Sequence, residues 1–152
     1  MYQNSAENYR KNEIVTSDPK RLVAMCYSAA IMNFKLAKAK YMEKEYEDKA
    51  NALIKALDIV SELMASLDFE RGGQIATNLN ALYTYVLKRA SQADLEQDMK
   101  GFDEVAHILE ELSEAWTVSV IRDGKTADNN TDSMQTTQQM PRQTVYRAAL
   151  RA

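Results

Sequence analysis

Few side chains in this 152-residue chain are equipped for chemistry, and their spacing can be weighed one by one. The single histidine, His107, is followed three and four residues later by Glu110 and Glu111, a helical spacing at which an imidazole and carboxylates could share a metal. Di-metal bundles use two Glu-x-x-His motifs plus further carboxylates, and structural zinc needs more Cys and His than this chain holds. His107 therefore reads as an imidazole among surface carboxylates. The single cysteine, Cys26, sits in an apolar stripe with no base beside it, which fits a small core residue rather than a nucleophile. Gly72-Gly73 has no strand before it and no Gly-Lys-Ser/Thr after it, so it offers turn chemistry and not a phosphate loop. These residues predict no catalytic centre, no metal and no cofactor.

What the elements position is instead a set of apolar faces. With 4 glycines and 2 prolines the chain lacks the turn residues of a sandwich or barrel, so long helices are expected. Asp18-Pro19 is a helix start: the carboxylate can accept from first-turn amides, and proline at the first helical position loses no hydrogen bond. One stripe then runs through Leu22, Met25, Cys26, Ala29 and Leu36, and a second through Val23, Tyr27, Ala30, Phe34, Ala37 and Tyr41. A helix apolar around most of its girth is either central or has a second face waiting for a partner. Glu43-Lys44-Glu45 reads as a turn. A second helix carries Ala50, Leu53, Leu57, Val60, Met64 and Leu67, ending at Asp68, with Gly72-Gly73 reversing the chain. A third carries Ile75, Leu79, Leu82, Val86 and Ala90, with Tyr83, Tyr85 and Leu87 beside or across from that face. The fourth carries Phe102, Val105, Leu109, Leu112, Trp116 and Val120, with Trp116 expected in the core.

The expected fold class is therefore all-α, an antiparallel four-helix bundle over residues 1–122. It comprises a mobile N-terminal segment, 1–17, and helices over about 18–42, 46–67, 72–94 and 99–121. The polar run from Asp123 to Gln139 is expected to be disordered. From Val145 the chain regains helix character, so 123–152 reads as a flexible tail with a candidate short terminal helix.

Composition narrows the function. Apolar and charged fractions of 45% and 27% are those of a soluble globular protein. A net charge of −3 without a dense basic face argues against nucleic acid. No apolar run approaches the roughly 18 residues of a membrane span, so no membrane insertion is expected. The start MYQNSAENYR lacks a signal-peptide pattern, and one cysteine fits a reducing compartment, so the cytoplasm is the expected location. The aromatic surplus on the first and third helices, with methionines such as Met25 and Met32, suits an adaptable groove for an amphipathic segment rather than a small-molecule substrate.

Leu67-Asp68, Gly72-Gly73, Ile75-Ala76, Asn78-Leu79, Leu82-Tyr83, Tyr85 and Ala115-Trp116, in that order and spacing, resemble the FliS family of flagellin export chaperones. Ser17, Pro19, Leu22, Val23, Met25, Tyr27 and Ala30 are similar to the same family's opening, so the resemblance covers about Thr16 to Val120. It implies a chaperone, not an enzyme, that binds the disordered C-terminal segment of flagellin, prevents premature polymerisation and aids its export, with an export gate component as a second partner. It also implies an N-terminal segment able to lie over a surface groove, and the apolar surplus places that groove on the first and third helices. The candidate contacts are Tyr9, Ile14, Val15, Val23, Tyr27, Asn78, Leu82, Tyr83 and Val86. The alternative is a helical scaffold or signalling adaptor for another amphipathic segment.

Overall fold

Four helices follow one another along the described residues: α1 Pro19–Met42, α2 Tyr46–Ala65, α3 Phe69–Glu96 and α4 Met99–Asn129. The structure, a computed structural model, describes residues 18–129. The expectations for segment 1–17 and for residues 130–152 lie outside the described residues. Three of the four helices begin at an aspartate that accepts amide hydrogens of the first turn. Asp18 accepts from Lys20 at 3.1 Å, with Pro19 at the first helical position. Asp68 accepts from Glu70 and Arg71, and Asp98 accepts from Lys100 at 3.2 Å. The start of α2 has no side-chain cap, but Glu47 and Asp48 place negative charge in its first turn, where the helix dipole favours it.

The connections are short, so consecutive helices run antiparallel. Two turn on residues other than glycine in the left-handed region, Lys44 at φ 62° and Gln97 at φ 57°. Each conformation costs roughly 1–2 kcal/mol for an L side chain and is sustained by the packing of the helices it joins.

α1 packs on α2 and on α4, and α3 packs on the same two, so the helices form a ring in chain order. The interfaces of α1 are the more extensive. The second stripe of α1 is buried from Val23 to Ala37, whereas the first is covered only in part, with Leu22 and Cys26 buried but Met25 and Leu36 exposed. The core holds Leu22, Ala30, Phe34, Val60, Val86, Val105 and Leu109, all fully buried, with the rings of Phe34 and Phe102 6.4 Å apart. Tyr27 of α1 and Tyr83 of α3 meet across it through their hydroxyls at 2.5 Å. Burial raises both phenol pKa values, so the pair stays neutral and each hydroxyl finds its partner without water. Buried Asn33 is satisfied likewise, donating to the Ala29 carbonyl at 2.8 Å.

Three sequence expectations are corrected. The chain reverses at Ser66–Asp68, not at the glycine pair, because Asp68 caps α3 there and so places Gly72 and Gly73 inside that helix. α4 does not stop near 121 but runs to Asn129, through residues expected to be disordered. Once a helix is nucleated, each added residue gains a hydrogen bond, no proline intervenes, and Asp123 lies 4.0 Å from Lys20 of α1. Trp116 is half-buried rather than enclosed, because α1 begins at Pro19 and covers only one side of the indole. The indole nitrogen donates to the Lys20 carbonyl at 2.9 Å.

Candidate functional site, the seam between α3 and α4

The first turn of α3 is separated from the rest of the helix by Gly73, whose φ of 48° and ψ of −125° kink the axis. Glycine reaches this region without the clash a Cβ would bring. Beyond the kink the helix restarts, with Thr77 donating to the Gly73 carbonyl at 3.2 Å and Gln74 to Asn78 at 2.9 Å. From there Ile75, Asn78, Leu82, Tyr85 and Arg89 recur at spacings of three and four, on one face of α3. Glu104, Ile108, Glu111, Ala115, Val118 and Arg122 do the same on α4.

These two faces meet at the end nearest the Gln97 turn. Glu104 accepts from the Tyr85 hydroxyl at 2.5 Å and from Arg89 Nε at 2.7 Å, while Arg89 Nη2 reaches Asp98 at 3.0 Å. The Tyr85 hydrogen bond and then the Arg89 hydrogen bond hold Glu104 below its ordinary pKa, and Arg89 does the same for Asp98. Beside this clasp the backbones come close: a Cβ on Gly101 would stand 2.4 Å from that of Ala93. Further from the turn the seam stays open. Ile75 is 71% exposed, Leu82 38% and Val118 50%. Counting equal distances from the turn sets Leu82 level with Ser113 and Ile75 level with Val120, so these apolar groups share one stretch of the seam. On α4 itself, Glu111, Glu114, Ala115, Val118, Ser119, Arg122 and Asp123 line a concavity that shares Glu111, Ala115, Val118 and Arg122 with the face turned to α3. Exposed aliphatic side chains gathered in one furrow are the mark of a surface that meets another chain.

The residues singled out from sequence divide into three groups. Tyr9, Ile14 and Val15 lie outside the described residues. Val23, Tyr27, Tyr83 and Val86 are buried, their side chains spent on the core between the helices. Asn78 and Leu82 are exposed and belong to the open seam. The seam described here is built by α3 with α4, whereas the sequence pointed to α3 with the first helix, which exposes Met25, Met32 and Leu36. Ile75, Ala115 and Val118 were missed as surface groups, although their heptad-like spacing with Leu82 and Glu111 was readable. Neither candidate for chemistry gains a partner for it. Burial pushes the Cys26 thiol up to about 11, so it is neutral and unreactive at physiological pH. His107 is exposed on α4, 3.2 Å from Glu111, and among the described residues no three metal-ligating side chains converge.

A helical bundle with exposed apolar groups has many relatives in principle, and comparison with known proteins decides among them. The family model described as "Flagellar protein FliS" matches residues 1–122. The chain belongs to the FliS family. The flagellar secretion chaperone FliS of Salmonella typhimurium is 37% identical over 109 residues, covering 70% of this chain and 79% of that protein. The chaperone of the same name from Vibrio cholerae is 32% identical over 116 residues, covering 74% and 85%, and that of Bacillus subtilis 28% over 118 residues, covering 78% and 87%. In this FliS-family chain the family match ends at residue 122, while α4 continues to Asn129. No helix among its described residues is long and apolar enough to cross a membrane.

Proposed function

We propose that this chain is a cytoplasmic chaperone that receives the C-terminal segment of flagellin along the α3–α4 seam and holds it unpolymerised for the flagellar export gate. The observation that carries the reading is an open apolar furrow on a member of a flagellar secretion chaperone family. A filament subunit must hide its assembly segment until it is exported, and that segment is amphipathic. Burying its apolar face against Ile75, Leu82, Ala115 and Val118 removes the surface by which it would meet its own kind. A partner that orders on binding loses entropy, which favours a long contact surface over a compact pocket, and a seam along two helices supplies one. Asn78 and Leu82 remain proposed contacts. Tyr9, Ile14 and Val15 remain proposed contacts of the N-terminal segment, and Val23, Tyr27, Tyr83 and Val86 support the seam from beneath.

Calorimetric titration of a flagellin C-terminal peptide into the full chain tests this. The Leu82→Asp and Val118→Asp variants should keep native circular dichroism and bind at least tenfold more weakly, about 1.4 kcal/mol or more. Parental affinity in both variants would place the flagellin site on another face.

A further inference from the structure

Beyond the family match the chain carries a segment whose chemistry complements the seam. From Ser133 to Ala152 there is no Asp or Glu, while Arg142, Arg147 and Arg151 supply positive charge. Val145, Tyr146, Ala149 and Leu150 fall on one side at helical spacing, with Arg147 and Arg151 four residues apart on the other side. The seam has the opposite character. Ile75 and Leu82 on α3 and Ala115 and Val118 on α4 are its exposed apolar groups, and on the α4 side Glu111, Glu114 and Asp123 outnumber Arg122.

We propose that residues 145–150 of this chain dock in its own α3–α4 seam and compete there with the flagellin segment. The proposal rests on the reading that flagellin uses this seam.

Reach permits the contact. Val118 lies eleven residues before Asn129, roughly 16 Å along the helix, and the stretch from Asn130 to Thr144 can extend to about 50 Å at most. The tether therefore passes back along α4 to the level of Val118 and on to Leu82 with length to spare. Attached in this way, the segment meets the seam at an effective concentration of order millimolar, so even a weak apolar contact is populated. The apolar side meets Leu82 and Val118, and the positive charge of the segment is attracted to the α4 side of the seam, where Glu111 and Glu114 stand. A flagellin segment then binds only to the fraction of molecules whose seam is empty, and its apparent affinity falls by that fraction. The arrangement keeps the furrow covered before cargo arrives and yields to a longer, tighter-binding occupant.

The test uses the full chain and a full-length Val145→Asp/Leu150→Asp variant, both changes lying outside the bundle. Amide NMR spectra without any partner are expected to differ between the two at Ile75, Leu82, Ala115 and Val118, with the differences unchanged on tenfold dilution. The variant should bind the flagellin C-terminal peptide several-fold more tightly. Identical spectra and identical affinities would overturn the proposal while leaving the flagellin site intact. Spectral differences that vanish on dilution would overturn it too, since the segment would then be docking on a second copy. If the spectra differ as expected but the peptide binds neither protein, docking of the segment stands, while the flagellin reading and the competition built on it fall.

Discussion

At the Gln97 end, α3 and α4 are in close contact: Gly101 lies against Ala93, and Arg89 and Tyr85 hold Glu104 across the gap. At the Gly73 end the same two helices, with the same three-and-four spacing, leave Ile75, Leu82 and Val118 exposed to solvent. The difference lies in what fills the seam. A small residue lets the backbones approach and a polar clasp seals the closed end, whereas at the open end the aliphatic groups Ile75, Leu82 and Val118 are exposed. α3 is also the helix less extensively packed than α1, which leaves its outer face available. One helix pair thus serves two purposes, a fixed joint at one end and a receptive furrow at the other.

The largest effect that would sharpen this contrast is in the closed half. Phe102, 1% exposed and packed on Phe34, should cost about 3–5 kcal/mol on Phe102→Ala, whereas Val118→Ala in the open half should cost within about 0.5 kcal/mol. Urea denaturation of the two variants measures both, and equal losses would mean that the open half is core. Gly101→Ala should cost about 1–3 kcal/mol, since its Cβ would overlap Ala93 and meet Arg89, and adding Ala93→Gly should restore much of the loss. A Gly101→Ala protein as stable as the parent would show that the close approach is slack. The smallest effect concerns the clasp. Glu104 and Asp98 are held below their ordinary values of 4.5 and 3.8, so their contribution is present in full above those values and is lost as pH falls through the lower folded-state values. Both carboxylates remain partly exposed, so solvent screens them and the change should be slight. The thermal midpoint of the parent should fall more steeply below about pH 4.5 than that of Arg89→Leu, and parallel profiles would assign the clasp no role in stability.

Much of the bundle was legible because helices declare themselves locally. Asp18-Pro19 marks the start of α1, and the apolar periods of Leu53 to Val60 and of Phe102 to Leu109 mark core faces that the structure buries. The candidate site was less legible. Val23, Tyr27, Tyr83 and Val86 obey the same period whether they face a neighbouring helix or a partner, and burial assigned them to the core. Gly101 carried no warning of its role, because a close approach involves two segments and is invisible in one.

The sequence by itself determined the all-helical class, the four helices of the bundle, most of their boundaries and the family, since each depends on spacing and capping within a few residues or on a pattern read along the chain. Only the tertiary structure decided that Asp68 rather than the glycine pair turns the chain, that Trp116 is half-covered, and that the open furrow lies between α3 and α4. Those outcomes depend on which faces compete for the same interior. A helix with more apolar surface than its neighbours can cover leaves some of it outside, and which part is left is settled by the packing of all four helices together.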